Sequence, residues 1–472
     1  MDGFSSHLAG RTAGSTGFMS DDARRPFGRL DAYRYRLHRN QPWRWKGKVL
    51  EAVGQTIESE GPICSVGECC EIVDRQGGRH LAEVIGFRGS TVLSMPVNSP
   101  EGIRFGDAVE ALGLTPEMPV GAALIGRVLD ALGEPIDQLD PLNQSRDGSR
   151  RPAVTETLPL DGPVRSPMER MPIREPLGTG IRALDGLLTV GRGQRVGIFG
   201  GSGVGKSTLI GMMTRNTAAD ITVVGLVGER GREVGEFLED ALGEEGRKRS
   251  VVLVSTSDQS PLMRIRAALA ATTTAEYFAA QGKHVLLVLD SLTRFAMAAR
   301  EIGLAAGEPA TAKGYTPSVF SRLAKLVERA GNFKTGSITA FYTVLMEGDD
   351  QQDPLVDAVR SLLDGHVVLS RSLAAEGWYP PIEVLDSVSR LMPAVAAPEH
   401  REAAQLVRRL LSAYSRSEDL VRIGAYKAGA DEDLDRALRA RPVLREFLTQ
   451  EAQEQMRFSD CLERLTVLAD QM

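Results

Sequence analysis

The sequence predicts an α/β fold, in which a mostly parallel sheet covered by helices lies between a small N-terminal β-barrel and a C-terminal α-helical domain. Continuous runs of valine, isoleucine and leucine alternate with helical segments between residues 177 and 390, as is typical of strands covered on both faces. Short, evenly spaced β-like segments precede this region, and charged helical segments follow it. With 472 residues the chain is too long for one compact core, so roughly two or three domains are expected.

The beginning of the chain differs in composition from the rest. Residues 1 to about 22 are rich in glycine, serine and threonine, which predicts disorder. Basic residues then strongly outnumber acids from 24 to 48, with Leu30, Tyr33 and Leu37 at helical spacing. A short basic amphipathic helix of this kind suits an anionic membrane or a partner protein, and a solvated charged face explains the pattern equally well. We therefore predict an N-terminal extension over residues 1–45.

Glycine, proline and asparagine divide the rest of the chain into segments. Between 46 and 113 they separate β-like segments that predict a small barrel, at residues 47–53, 68–73, 81–87 and 91–96. After a stretch rich in proline and glycine, buried strands are predicted at 195–199, 222–227, 250–255, 284–289, 337–345 and 366–370. Helices are predicted at 399–416, 431–439 and 442–468. The expected domains are 46–113, 114–392 and 393–472.

The most specific motif in the chain is GGSGVGKST at residues 200–208. It fits the pattern G-x-x-x-x-G-K-[ST], between a strand-like apolar run and a helix-like apolar run. Glycines let backbone N–H groups close around a triphosphate, and the start of a helix adds positive potential. We expect Lys206 to reach the β- and γ-phosphates and the Ser207 hydroxyl to bind Mg²⁺. The predicted nucleotide-binding residues of this loop are Gly200, Gly201, Ser202, Gly203, Val204, Gly205, Lys206, Ser207 and Thr208.

Two further strand ends carry acidic residues. Asp290 ends an apolar run that begins at His284, which suits an aspartate that holds Mg²⁺ through water, and it can serve in part as a helix N-cap. Glu229 follows the apolar run 222–227, where a carboxylate can polarise an attacking water, and Arg230 is a candidate for phosphate contact. Spacing alone supports a surface salt-bridge cluster around Glu229 equally well.

Composition limits the function further. The formal net charge is −6, which argues against a protein that coats nucleic acid with its whole surface. There is no apolar run of about eighteen residues and no apolar signal-peptide core, so a cytoplasmic location is expected. The four cysteines form no C-x-x-C pair and the six histidines are scattered, so we expect reduced structural cysteines and no zinc site.

Several runs together resemble the rotary-ATPase superfamily, which includes the catalytic β subunit of F-type ATP synthase, and within it the type III export ATPases. These runs are GGSGVGKST, GERGREV, LLVLDSLTRFAMAAREI, GYTPSVFSRLAKLVERAG, FYTVLMEGDDQQDP and WYPPIEVLDSVSR. The spelling GSGVGKST and the run at 346–354 favour the flagellar export ATPases over their injectisome relatives. The resemblance extends from about residue 47 to the C-terminus and is most specific at 190–392.

The resemblance implies a RecA/F1-like core and a role for each matching residue. Glu229 matches the glutamate that activates the hydrolytic water, Arg230 the arginine near the γ-phosphate, and Asp290 the Mg²⁺-water aspartate. Tyr379 matches the aromatic residue on which adenine stacks. Arg390 matches the arginine that one subunit inserts into its neighbour's site, which can be worth ~10³–10⁵ in rate. A chain with both a phosphate loop and this arginine implies a homo-oligomeric ring, which closes at six in the family.

The resemblance also implies ligands, partners and alternatives. ATP and Mg²⁺ are the expected ligands of an ATP hydrolase that powers flagellar protein export from the cytoplasmic side of the inner membrane. The expected partners are a stator-like regulatory export protein and anionic lipid at the N-terminus, the export gate, a central stalk protein and chaperone–cargo complexes. The alternatives are an injectisome export ATPase, an ATP synthase catalytic subunit, a Rho-type RNA translocase and a nucleotide-regulated scaffold without turnover. The acidic balance and the lack of an aromatic–basic platform in the barrel argue against a nucleic-acid partner.

Overall fold

The computed structural model describes residues 45–139, 142, 156–346 and 353–472. The disorder and the basic helix predicted near the N-terminus lie outside these residues. Trp45–Met472 forms one compact unit, so the domain boundaries expected at 113 and 392 stay predictions. None of the helices in the described ranges is both long and apolar enough to cross a membrane.

The elements are numbered in chain order. The strands are β1 (Lys46–Val53), β2 (Thr56–Glu60), β3 (Cys69–Val73), β4 (Arg79–Arg88), β5 (Thr91–Pro96), β6 (Ala108–Ala111), β7 (Glu117–Val120), β8 (Val128–Asp130), β9 (Glu156–Pro159), β10 (Pro176–Leu177), β11 (Val190–Gly191), β12 (Arg195–Gly200), β13 (Ile221–Glu229), β14 (Ser250–Thr256), β15 (His284–Asp290), β16 (Gly331–Asn332), β17 (Ser337–Leu345), β18 (Gly365–Leu369) and β19 (Ile382–Ser389). The α-helices are α1 (Arg182–Leu187), α2 (Lys206–Asn216), α3 (Gly231–Glu236), α4 (Gly243–Lys248), α5 (Pro261–Ala280), α6 (Leu292–Ala305), α7 (Pro317–Glu328), α8 (Pro354–Leu362), α9 (Arg371–Ala375), α10 (Met392–Val395), α11 (Pro398–Arg422), α12 (Glu432–Leu448) and α13 (Phe458–Asp470).

The first six strands close into an antiparallel barrel in the order β1-β2-β5-β4-β3-β6. Alternate side chains point inward, and Ile57, Ile72 and Val109 are completely buried there. The predicted barrel and its four predicted strands are confirmed as β1, β3, β4 and β5. The sequence did not reveal β2 and β6, because both are short and their buried residues alternate with less buried threonine, alanine and glutamate residues.

The central sheet has nine strands, and its main order is β19-β18-β12-β17-β15-β13-β14-β8. Neighbours along this order run parallel, except that the edge strand β19 is antiparallel to β18. The short β16 pairs with β17 beside the main order. All six buried strands predicted from the sequence are confirmed, because β12 to β15, β17 and β18 are covered on both faces and their apolar runs are nearly continuous.

Three strand ends define the functional edge of this sheet. β12 ends at Gly200, β13 at Glu229 and β15 at Asp290. Since the strands are parallel, their carboxyl ends share one edge, and the helices that follow begin there. Open α/β sheets bind ligands outside this edge. The fold therefore brings the predicted phosphate loop and both predicted acids to the same side of the sheet.

The C-terminal helices α11, α12 and α13 share an apolar cluster with α1 of the central domain. The predicted division of the last two helices is wrong. Pro442 lies inside α12, and the break falls at residues 449–457 instead of at 440–441. Proline removes one helical hydrogen bond and crowds the preceding turn. The helix stays continuous because it buries a stripe formed by Leu434, Leu444 and Phe447.

Candidate active site

The loop at residues 200–208 joins β12 to α2 and depends on glycine for its shape. Gly203 and Gly205 have φ angles of 78° and 92°, in the left-handed region that favours glycine. Val204 is buried between them and holds the loop against the core. The hydroxyl-bearing residues of the loop are exposed to solvent, at Ser202, Ser207 and Thr208. The start of α2 is therefore open to an anion, as a phosphate loop requires.

The Lys206 side chain is buried and folds back onto this loop. Its Nζ atom donates hydrogen bonds to the carbonyl oxygen of Gly200, at 3.0 Å, and to that of Gly201. Burial lowers the pKa of the ammonium group, and the carboxylates of Asp290 and Glu229 oppose this effect. The charge of Lys206 is thus held in a poorly solvated position, where an incoming anion stabilises it.

Asp290 and Glu229 lie close enough to affect each other's ionisation. Asp290 is buried, and its Oδ1 atom accepts a hydrogen bond from Thr343 Oγ1 at 2.6 Å. Burial raises the pKa of Asp290, while the Thr343 hydroxyl and the Lys206 charge lower it in part. Burial raises the pKa of Glu229 to about 8, and the charge of Asp290 and a hydrogen bond with Glu233 add to this. Both carboxyls are therefore harder to ionise than free ones, mainly because burial removes them from water.

These carboxylates suit a divalent cation. Ser207 and Asp290 would offer a bound ion the oxygen ligands that Mg²⁺ prefers, and its positive charge would favour ionised carboxylates beside it. Among the described residues, no group of three or more His, Cys, Asp or Glu side chains is arranged to hold a metal ion. A sparse protein ligand set is compatible with Mg²⁺, because this ion keeps several waters and binds phosphate oxygens of the substrate.

An open cavity of about 710 Å³ extends from the loop toward the C-terminal helices. Tyr379 lines it, is 52% exposed, and accepts at its carbonyl oxygen a hydrogen bond from Gln450 N–H of 2.7 Å. Gly205, Thr208 and Pro381 line the side nearest the loop. Small-ligand pockets typically have volumes of ~300–1,000 Å³. The structure thus places Tyr379 beside the loop with about half of its surface exposed to the cavity and solvent.

Arg390 lies at the end of the sheet where the parallel strands begin, opposite the end that carries the phosphate loop. It follows β19, its backbone N–H donates to Asp364 O at 3.0 Å, and its side chain is exposed. Ser389 pairs with Gly365, and Gly365 pairs with Val196 near the beginning of β12, whereas the phosphate loop follows the end of that strand. The two ends of β12 are roughly 16 Å apart at ~3.3 Å per residue. Arg390 is therefore not brought to the phosphate loop of its own chain.

Comparisons with known proteins match all three regions of the chain. Residues 180–389 match the ATP synthase alpha/beta family, nucleotide-binding domain, residues 49–113 match the beta-barrel domain of that family, and residues 396–467 match the T3SS EscN ATPase C-terminal domain. The flagellum-specific ATP synthase of Treponema pallidum (strain Nichols) is 53% identical over 440 residues, which covers 93% of this chain and 96% of the relative. The chain belongs to the type III export branch of the ATP synthase alpha/beta family.

Two further matches describe the relatives of this export ATPase. The type 3 secretion system ATPase of Xanthomonas euvesicatoria is 47% identical over 425 residues, 90% of this chain and 94% of the relative. The structure of the assembled ATPase EscN in complex with its central stalk EscO, from the enteropathogenic E. coli type III secretion system, matches with a TM-score of 0.80 and 41% identity, over 90% of this chain and 100% of the matched chain. The predicted fold class and the predicted ATP hydrolase activity are confirmed. The higher identity to the flagellar relative favours the flagellar prediction over its injectisome alternative.

Two arginines of this export ATPase contact the site although the sequence did not single them out. Arg294 Nε lies 3.0 Å from Glu229 Oε1, and Arg294 Nη2 donates to Oε2 at 3.2 Å. Arg371 packs so closely on the loop that a Cβ atom at Gly201 would collide with its guanidinium group. Arg294 lies in the first turn of α6, the helix that begins just after Asp290, and this closeness in the chain is a readable signal. Arg371 offers none, because its contact depends on β18 lying beside β12.

The predicted position of Arg230 near the γ-phosphate has less structural support. Its side chain is 72% exposed, and its guanidinium lies 3.5 Å from Glu233. The ion pair with Glu229 is made by Arg294 instead. A role for Arg230 at the phosphate therefore stays a prediction, and it requires the arginine to turn toward the nucleotide.

Proposed function

We propose that the chain is a ring-forming, Mg²⁺-dependent ATPase that powers flagellar type III protein export. The proposal rests on the observation that the residues proposed for hydrolysis lie at opposite strand ends of one sheet. Lys206, Glu229 and Asp290 share the carboxyl edge, whereas Arg390 is exposed at the other. A neighbouring copy that supplies Arg390 would complete each site. Head-to-tail contacts of this kind close into a ring, for which we propose six copies.

In the proposed reaction the phosphate loop binds the triphosphate through its backbone N–H groups and the start of α2. The Lys206 ammonium exchanges its hydrogen bonds with loop carbonyls for contacts with the β- and γ-phosphates. Glu229, held by Arg294, accepts a hydrogen bond from the attacking water and orients it toward the γ-phosphate. The adenine base stacks on Tyr379 in the cavity beside the loop.

Charge stabilisation would come from two further sources. Ser207 and, through water, Asp290 would hold Mg²⁺, which when bound neutralises charge on the phosphate oxygens. Arg390 from the neighbouring copy stabilises the charge that develops on the transferred phosphoryl group. Because this arginine belongs to a different chain, hydrolysis depends on assembly.

The comparisons support one class of partner more than the others. EscN is described as assembled and in complex with its central stalk EscO. We propose by analogy a homo-hexamer around a central stalk protein. The stator-like export protein, the export gate, chaperone–cargo complexes, anionic lipid and a position at the inner membrane rest on family resemblance alone. The N-terminal extension expected to contact the stator-like protein and lipid lies outside the described residues.

Phosphate release by the purified protein tests the enzymatic part of the proposal. Lys206→Ala and Glu229→Gln are expected to abolish turnover, and Glu229→Gln is expected to keep nucleotide binding. Glu244→Gln is a matched control, since its side chain is 86% exposed on the distant helix α4. Wild-type turnover in either site variant would contradict the proposed roles.

Deletion of the gene tests the flagellar part. Loss of motility and filaments, restored by the wild-type chain but not by Glu229→Gln, is the expected result. Normal filaments together with lost effector secretion would instead assign the chain to an injectisome.

A further inference from the structure

The backbone around Arg390 is held by a buried glutamine. Gln194 has no exposed surface, and its Nε2 group donates to Asp364 O at 3.2 Å and to Ser389 Oγ at 3.3 Å. Asp364 O also accepts the hydrogen bond from Arg390 N–H, at 3.0 Å. The Asp364 carbonyl oxygen and the Gln194 side-chain amide thus connect the end of β19 to Gln194, the residue immediately before β12.

The partners of Gln194 are themselves fixed. The Asp364 carboxylate accepts hydrogen bonds from Arg195 N and Nε, both at 3.0 Å, and from Nη2 at 3.1 Å. Ser389 Oγ donates to Thr189 O at 2.7 Å. The Gln194 Oε1 atom accepts from Gly191 N–H at 2.8 Å. The amide therefore has one orientation, in which its donors face the end of β19.

The close approach of β19 at this point depends on a glycine. A Cβ atom at Gly365 would lie 2.6 Å from Val388 O and 3.1 Å from Gln194 Nε2. Contacts this short between a Cβ atom and backbone are not tolerated, so a side chain at this position would push the end of β19 away. Within the described ranges, no ion pair holds the exposed guanidinium of Arg390, so its position is set by its backbone.

We propose that Gln194 is a positioning residue for Arg390, and that it acts on hydrolysis in the neighbouring subunit and not in its own. The proposal rests on the trans role of Arg390 stated above. A buried glutamine that only completes a turn would affect the stability of its own chain and of the phosphate loop that follows. A positioning role predicts a different pattern, in which the loop of the variant chain stays competent and the neighbour's site loses its arginine.

The test uses Gln194→Met, which keeps the volume of the side chain and removes both donors. The expected result is a fall in kcat of ~10- to 100-fold with KM for ATP within about twofold of wild type, because a displacement of ~1 Å at a reacting group costs ~10²-fold. Ser387→Ala is the control. It is buried on the same strand, and its hydroxyl donates to Glu383 O and accepts from Val368 N–H, away from Arg390.

Mixed rings separate a positioning role from a structural one. A Lys206→Ala chain has a defective phosphate loop but an intact Arg390. It can therefore supply Arg390 to a neighbouring chain whose own phosphate loop is intact. Mixing it with Gln194→Met is expected to recover turnover, with about a quarter of the interfaces complete in a random equal mixture of the ring. Mixing Lys206→Ala with Glu229→Gln is expected to recover none, because both changes damage the same face.

The outcomes are distinct. If the Lys206→Ala chain recovers turnover when mixed with Arg390→Ala but not when mixed with Gln194→Met, the positioning role of Gln194 is overturned and the trans role of Arg390 stands. If mixing Lys206→Ala with Arg390→Ala recovers no turnover, the trans role of Arg390 itself is refuted. Where Gln194→Met does not fold, Ser389→Ala decides, since it removes one acceptor of the same amide, and wild-type kcat in that variant would overturn the proposal.

Discussion

Replacement of Arg182 by alanine is expected to loosen the joint between the nucleotide-binding core and the C-terminal helices. The Arg182 side chain is buried, its Nε donates to Phe447 O at 2.8 Å, and its other nitrogens donate to Thr449 O and the Glu454 carboxylate. The two carbonyl groups lie at the end of α12, where a helix leaves its last C=O groups without intrahelical partners. Arg182, at the start of α1, therefore caps α12 from a separate helix.

The magnitude follows from these contacts. A hydrogen bond from a charged donor contributes ~1.5–3 kcal/mol, and a buried acceptor left without a partner costs ~1–3 kcal/mol. Arg182 lines the open cavity, so water can reach part of the vacated space. We expect Arg182→Ala to lose about 3–5 kcal/mol at this joint. Arg182→Lys keeps the charge but not the planar donor geometry, and it is expected to lose ~2 kcal/mol.

Trp378 provides the assay, because it is buried in the same apolar cluster as Leu410 and Leu444 of the C-terminal helices. In a background with Trp43→Phe and Trp45→Phe, the fluorescence of Trp378 is monitored during a urea titration. Its change reports the separation of these helices from the core. Arg409→Ala is the control, since its side chain is 55% exposed and 3.6 Å from Asp433, and such pairs contribute ~0–1 kcal/mol. Equal midpoints for Arg182→Ala and Arg409→Ala would refute the capping role.

Two further predictions concern the nucleotide site. Burial raises the pKa of the Glu229 carboxyl to about 8, so kcat/KM should rise as pH increases toward this value, and a flat profile between about pH 6.5 and 8.5 would contradict a base at this position. Since the folded state binds this proton more tightly than the unfolded state, whose pKa is ~4.3, stability falls as pH rises from about 4.3 to about 8, and Glu229→Gln should raise Tm above pH 8 in the absence of nucleotide. Tyr379→Ala should raise KM for ATP ~10- to 100-fold, because base stacking contributes ~1–3 kcal/mol. Tyr379→Phe should keep the wild-type KM, and equal values in the two variants would exclude stacking.

The elements that the sequence predicted well are those whose burial is complete. Strands such as β13 and β15 are covered on both faces, so nearly every residue is apolar and the run is visible without a partner. In β2 only alternate residues are buried, and a threonine and two glutamates occupy the other positions. Pro442 misled the helix prediction because its local cost is offset by packing that the sequence does not display.

The residues of the candidate site also differ in how readily the sequence predicts them. The phosphate loop, Glu229 and Asp290 were predicted because each stands directly after an apolar strand, in a local pattern with a chemical meaning. Arg371 and Gln194 were not, because what they contact depends on which strands lie side by side. β18 lies next to β12 in space although about 165 residues separate them in the chain, and no spacing rule spans such a gap.

The loop that follows α12 is hydrogen-bonded to the nucleotide-binding core in a way that matters for exchanging parts between relatives. Gln450 donates to Gly180 O at 2.8 Å and accepts from Arg182 N–H at 3.0 Å, and its own N–H holds Tyr379. A chimera that received its C-terminal helices from another export ATPase would also receive one wall of the cavity beside Tyr379. Adaptation of these helices to a new partner is therefore constrained at residues 449–454 by the hydrogen bonds to the cavity wall, and sequence changes there must preserve these bonds.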